Sequence, residues 1–222
     1  FYPGGVLRAT THFPPIQYQW RARGVLFKPR FVLGRENSLE LTPSPAREPA
    51  DVPRLLTDQR ALFDALAPTD LWVGRAPAAY APRGSRWVHR SALARLAVTW
   101  NEHRGRDAAA WLRDDESEVF SLHRALILAL RAEVEARDAR FRVLVLPASR
   151  DLAQRAADGA GYWESLTAEL AERGVEILDV SSVLAAAGGA DEAALWMPGG
   201  HYSPRANALV AEATAASWLG GE

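Results

Sequence analysis

The 222 residues contain no Cys, which excludes disulfides, thiolate metal sites and a Cys nucleophile. The lack of disulfides leaves the compartment open, because a chain this long can bury a core without them. Lys is almost as scarce: Lys28 is the only one, so nearly all the positive charge is carried by Arg. The Arg residues form no dense run and the net charge is -1, which gives no electrostatic basis for binding nucleic acid or an anionic membrane. No apolar stretch approaches the ~20 residues of a membrane span, and no basic-then-apolar signal pattern opens the chain. There is no HExxH or similar pattern, and His12, His89 and His103 show no spacing with carboxylates that would suggest a metal site. No Gly-rich phosphate-binding loop follows a strand, which counts against a flavodoxin-like nucleotide binder.

What remains is an ordinary globular composition, 48% apolar and 24% charged, consistent with one domain over 1–222. The first fifty residues are rich in Pro and aromatics. Within them Phe31-Val32-Leu33 and Leu39-Glu40-Leu41 flank Gly34-Arg35-Glu36-Asn37, which predicts a short hairpin. After a Pro-rich connection, Leu55, Leu56, Leu62, Phe63 and Leu66 fit a helix ending near Pro68. Residues 67–88, with Pro68, Pro77, Pro82 and Gly84, read as a long surface excursion, and a helical segment follows from Ser91 to about His103.

The second half has a clearer pattern. Asp115 with Glu118 three residues later resembles a capping box. Val119, Leu122, Leu126, Leu130 and Val134 then recur at helical spacing, with His123 on the same helix as a surface or packing residue. Phe141–Leu146 is a short branched run stopped by Pro147, as a buried strand should be. Trp163, Leu166 and Leu170 mark a helix, Gly174 supplies a left-handed cap, and Val175–Val180 is a second strand. A last helix runs from about Pro204 to Trp218, with Leu209, Val210 and Ala213 facing inward. This alternation predicts an α/β fold with a parallel sheet covered on both faces, whose sites lie beyond the carboxyl ends of the strands.

The most informative segment is Trp196–Ala211. A Gly199-Gly200 loop delivers His201 immediately before a helix that begins Ser203-Pro204, with Ser203 as its N-cap. A general base must be held firmly and still be reachable, and a helix start provides both. The plain alternative is that His201 is one loop histidine among several.

The run His201-Tyr202-Ser203-Pro204-Arg205-Ala206-Asn207 resembles the final block of the SGNH (GDSL-like) hydrolase superfamily. That block reads His, an aromatic or aliphatic residue, Ser or Asn, Pro, any residue, Gly or Ala, His or Asn, and then the closing helix. Lys28–Leu41, His89–Leu96, Val143–Pro147 and Ile177–Val180 are similar to further elements of one bacterial branch, so the resemblance spans roughly 27–219. It implies a three-layer α/β/α, flavodoxin-like fold. It also implies Ser-mediated acyl transfer to water or a sugar hydroxyl, with His201 as the base and with no metal and no organic cofactor. Substrates would be small or carbohydrate acyl esters, and many relatives are exported or periplasmic.

The sequence departs from the family in two respects. The Gly-Asp-Ser nucleophile block and the blocks that supply oxyanion-hole donors are absent. Phe1-Tyr2 would follow naturally after such a block, so the expectation is that an upstream part and its N-terminal strands precede these residues. The triad acid, usually two or three residues before the His, is replaced by Gly199 and Pro198. A Ser–His dyad, a backbone carbonyl, or a carboxylate from Asp179, Asp191 or Glu192 would have to stand in, although a strand-end Asp such as Asp179 more often caps a loop. Ser149, Ser181 and Ser182 lack the tight Gly turn of a nucleophile and read as helix starts, Ser149 as a cap. Trp72, Trp87 and Trp100 read as packing, or as the lining of an acyl or sugar pocket. The rival readings are an inactive SGNH-type protein that binds a glycan or protein, and an unrelated flavodoxin-like ligand binder.

Overall fold

A computed structural model describes residues 10, 27–71, 73, 91–94, 96–97, 108–189 and 193–220. The chain divides into two compact units, one drawn from Leu7–Asp107 and one drawn chiefly from Ala108–Glu222.

In the first unit, β1 (Arg30–Leu33) and β2 (Leu39–Thr42) pair antiparallel with Phe31 opposite Leu41, as the flanking apolar triplets predict. The helix expected over 55–66 is two helices, α1 (Asp51–Thr57) and α2 (Gln59–Leu66). The break falls at Asp58, whose carboxylate accepts the backbone N–H groups of Arg60 and Ala61 and so starts a new helix. Residues 92–94 and 96–97 are helical. The rest of the segment expected to about His103, and most of the 67–88 excursion, lie outside the described residues.

The second unit is mixed α/β. It contains α3 (Ala108–Arg113), α4 (Glu118–Glu135), β3 (Arg142–Val145), α5 (Ser149–Asp158), α6 (Glu164–Glu172), β4 (Glu176–Asp179), α7 (Ser181–Ala186), β5 (Trp196–Met197), β6 (His201–Tyr202) and α8 (Pro204–Trp218). The start of α4 differs from the expected Asp115 box. Ser117 is the N-cap, accepting from the Phe120 N–H at 3.0 Å, while Asp115 lies in the preceding turn. The shorter side chain one residue before the helix reaches the orphan donor, which a carboxylate three residues before it cannot.

Strands β3 and β4 pair in parallel, Arg142 with Glu176 through Val145 with Asp179, so both run out at the same level. Alternation divides their side chains between two faces. Val143 and Val145 are buried, while Leu144 and Leu178 pack with α5, α7 and α8 around Leu152, Val180, Leu184, Leu195 and Ala206. Leu209, Val210 and Ala213 join that cluster, as the helical spacing predicts. A separate set of contacts joins α6 to α3 and α4, with Leu112, Phe120, Leu122, Leu166 and Leu170 almost fully buried. Arg124 of α4 bonds Glu169 Oε1 of α6 at 2.8 Å, which fastens α6 to α4, and Arg173, just past the end of α6, bonds the same oxygen at 2.8 Å. His123, on the same helix as Arg124, is buried, and its Nδ1 lies 2.7 Å from the Val119 carbonyl, so it is a packing residue.

Candidate functional site

His201 stands on a hairpin of two-residue strands, where the sequence showed only a Gly-Gly loop. The register pairs Met197 with His201 and Trp196 with Tyr202. The connecting turn places Gly199 and Gly200 at φ of 91° and 81°, a left-handed backbone that favours Gly, and the Gly200 N–H donates to the Met197 carbonyl at 3.0 Å. Directly paired residues share a face, and successive residues alternate. His201 and Met197 therefore point outward and are exposed, while Trp196 and Tyr202 point toward the protein.

The inward face is well anchored. The Trp196 and Tyr202 rings lie 5.2 Å apart at 58°. The Trp196 indole donates to the Gly189 carbonyl at 3.1 Å, and the Tyr202 hydroxyl donates to the Pro147 carbonyl, just beyond β3, at 2.7 Å. Ser203 then closes the hairpin and opens α8. Its N–H donates to the Leu195 carbonyl at 3.0 Å, and its Oγ donates to the Ala194 carbonyl and accepts the Ala206 N–H at 3.2 Å. The N-cap expected at Ser203 is thus present, with Pro204 in the first turn.

Asp179 ends β4, and its carboxylate is already engaged. Oδ2 accepts the Trp163 indole N–H at 2.8 Å, and Oδ1 accepts the Ser181 backbone N–H at 2.8 Å, which caps α7. Asp179 forms no ion pair with His201; it behaves as the loop-capping strand-end residue its position predicts. Asp191 and Glu192 lie outside the described residues, as do Trp72, Trp87, Trp100, His12, His89 and His103.

Ser149 is the first residue of α5, and the cap position belongs to Ala148. Asp151 compensates from inside the helix. Its Oδ2 accepts the Ala148 N–H at 2.8 Å and its Oδ1 accepts the Tyr162 hydroxyl at 2.9 Å. Tyr162 in turn stands edge-on to Trp163, with centroids 5.1 Å apart. Ser181 starts α7 as expected, with Ser182 exposed behind it. None of these serines lies on the sharp glycine-flanked turn that exposes a nucleophile.

Sequence reasoning singled out His201, whose role nothing in the fold decides, and did not single out Tyr202, Asp151 or the indole bond of Trp163. Tyr202 left no signal, because strands of two residues are too short to show alternation. The Trp163–Asp179 and Tyr162–Asp151 bonds join residues from separate elements and leave no local sequence signal. Among the described residues no group of three or more His, Asp or Glu side chains could hold a metal, and no helix is long and apolar enough to cross a membrane. The His201 imidazole is exposed on this hairpin and has no carboxylate partner among the described residues. Comparison with protein-family models, curated proteins and solved structures finds no match to this chain.

Proposed function

We propose that this chain carries the base-bearing part of an SGNH-type acyl-ester hydrolase or O-acyltransferase, with His201 as the general base. The observation that carries the reading is the presentation of His201. Its hairpin is fixed on the inward face by Tyr202 and Trp196 and leads directly into a Ser203-capped helix, yet the imidazole itself is exposed. On this reading β3 and β4 belong to a larger three-layer α/β/α sheet, and the hairpin lies beside the carboxyl end of β3, where such sheets place their sites. The imidazole would take the proton of a serine hydroxyl as the oxygen attacks the ester carbonyl, and return it to the departing alcohol. Water, or a carbohydrate hydroxyl, then resolves the acyl-enzyme. The serine would come from a Gly-Asp-Ser setting that these residues do not contain.

The test is acetyl-ester hydrolysis by the full-length protein and by its His201→Ala variant. Loss of the base lowers kcat by about 10²–10⁴-fold at an unchanged melting temperature. Equal rates for the two proteins would overturn the assignment.

A second reading has its own observation. Asp179 is committed to Trp163 and Ser181, which leaves His201 with no carboxylate partner among the described residues, as in a protein of this kind that binds a glycan without cleaving it. Calorimetry with an acetylated oligosaccharide separates the two readings: binding without turnover favours the second.

A further inference from the structure

The peptide group that joins Pro147 to Ala148 is held from both of its ends. Its carbonyl oxygen accepts the Tyr202 hydroxyl at 2.7 Å, and its N–H donates to Asp151 Oδ2 at 2.8 Å. Asp151 is almost fully buried and is itself fixed by the buried Tyr162 hydroxyl at 2.9 Å. The peptide is therefore a rigid anchor at the exit of β3, and the phenol of Tyr202 ties the hairpin to it. Tyr202 is also the next residue after His201, on the opposite face of a ladder only two residue pairs long.

A ladder that short has little stability of its own, so the direction of the imidazole depends on what fixes its neighbour. The Trp196 ring at 5.2 Å constrains the tilt of the Tyr202 ring, and the hydroxyl bond constrains its reach. From this we infer that Tyr202 is the positioning residue for His201, the hydroxyl setting where the imidazole stands relative to the end of β3. The inference rests on the reading of His201 as a base, and it concerns a residue that never touches substrate.

The discriminating variant is Tyr202→Phe, which keeps the ring against Trp196 and deletes only the hydroxyl. Two measurements on the full-length protein decide the matter. In ester hydrolysis, kcat falls by about 10- to 100-fold with KM within about twofold, the signature of a displaced catalytic group and not of weakened binding. In hydrogen–deuterium exchange, the 196–203 segment exchanges faster in Tyr202→Phe while α4 and α6 keep their protection. Unchanged exchange in 196–203 overturns the anchor. Faster exchange with unchanged kcat, in a protein whose activity does depend on His201, overturns the positioning role. If His201→Ala proves as active as the parent, the base assignment has failed, and the exchange measurement alone decides whether Tyr202 anchors the hairpin.

Discussion

Gly200 sits at φ 81° with open space where a side chain would begin, so nothing would clash with an added methyl group. The effect of Gly200→Ala is therefore backbone strain alone. We expect about 1–2 kcal/mol of destabilisation, read by urea denaturation, with Gly200→Asn closer to the parent because Asn tolerates the left-handed region. Gly199 differs: a Cβ there would come within 3.7 Å of the His201 ring, so a substitution adds a contact with the imidazole to the strain. The two glycines are adjacent in sequence, but only Gly199 bears directly on the imidazole. The pattern Gly-Gly-His revealed the turn and the His; it could not reveal which glycine lies beside the ring.

At the scale of elements, capping separates what the sequence could show from what it could not. Ser203 was legible because Pro204 follows it and an apolar periodicity begins behind it. At α4 the spacing of Asp115 and Glu118 suggested the start, but the helix is capped by Ser117, which accepts the Phe120 N–H and donates to the Trp111 carbonyl. Ser117→Ala and Ser203→Ala are each expected to lower stability by about 1 kcal/mol, and Asp115→Ala by less than about 0.5 kcal/mol, in matched thermal melts. Strands β3 and β4 and helices α6 and α8 could be read from apolar spacing, because each buries one regular stripe or run; α4 was read as a helix too, but it buries only its start, Val119 to His123, and Leu130 of the expected inward stripe is exposed. The hairpin β5–β6 could not, since two residues are too few to show alternation. The split at Asp58 was hidden for a related reason: the apolar spacing continues across it, and only the carboxylate's bonds to Arg60 and Ala61 reveal the new start.

Over the whole molecule, 26 basic and 27 acidic residues nearly cancel, and no covalent cross-link supplements packing. Ion pairs that join elements consequently shape the response to acid. Glu169 is the clearest case. Burial alone would raise its pKa, but the hydrogen bonds from Arg173 and Arg124, with their charges, outweigh this and hold it below the usual glutamate value. In the unfolded chain the same carboxyl titrates near about 4.3. Its contribution is complete above that value. As the pH falls below it the unfolded chain takes up the proton first, and the contribution is lost as the pH passes through the lower folded value. Stability should therefore drop as the pH falls below the ordinary glutamate range, and Glu169→Gln should flatten that slope while lowering stability at neutral pH, measured as melting temperature against pH.

Surface connections usually tolerate changes in length, because nothing downstream depends on how many residues they hold. The turn at Pro198–Gly200 is an exception with a parity rule. Because Tyr202 faces the protein and His201 faces outward on a two-pair ladder, one residue more or fewer in that turn would exchange the two rings. The phenol would stand in solvent and the imidazole would meet the Pro147 carbonyl. Drift in this stretch can replace residues or change their number in twos, but an odd step removes the outward histidine without mutating it.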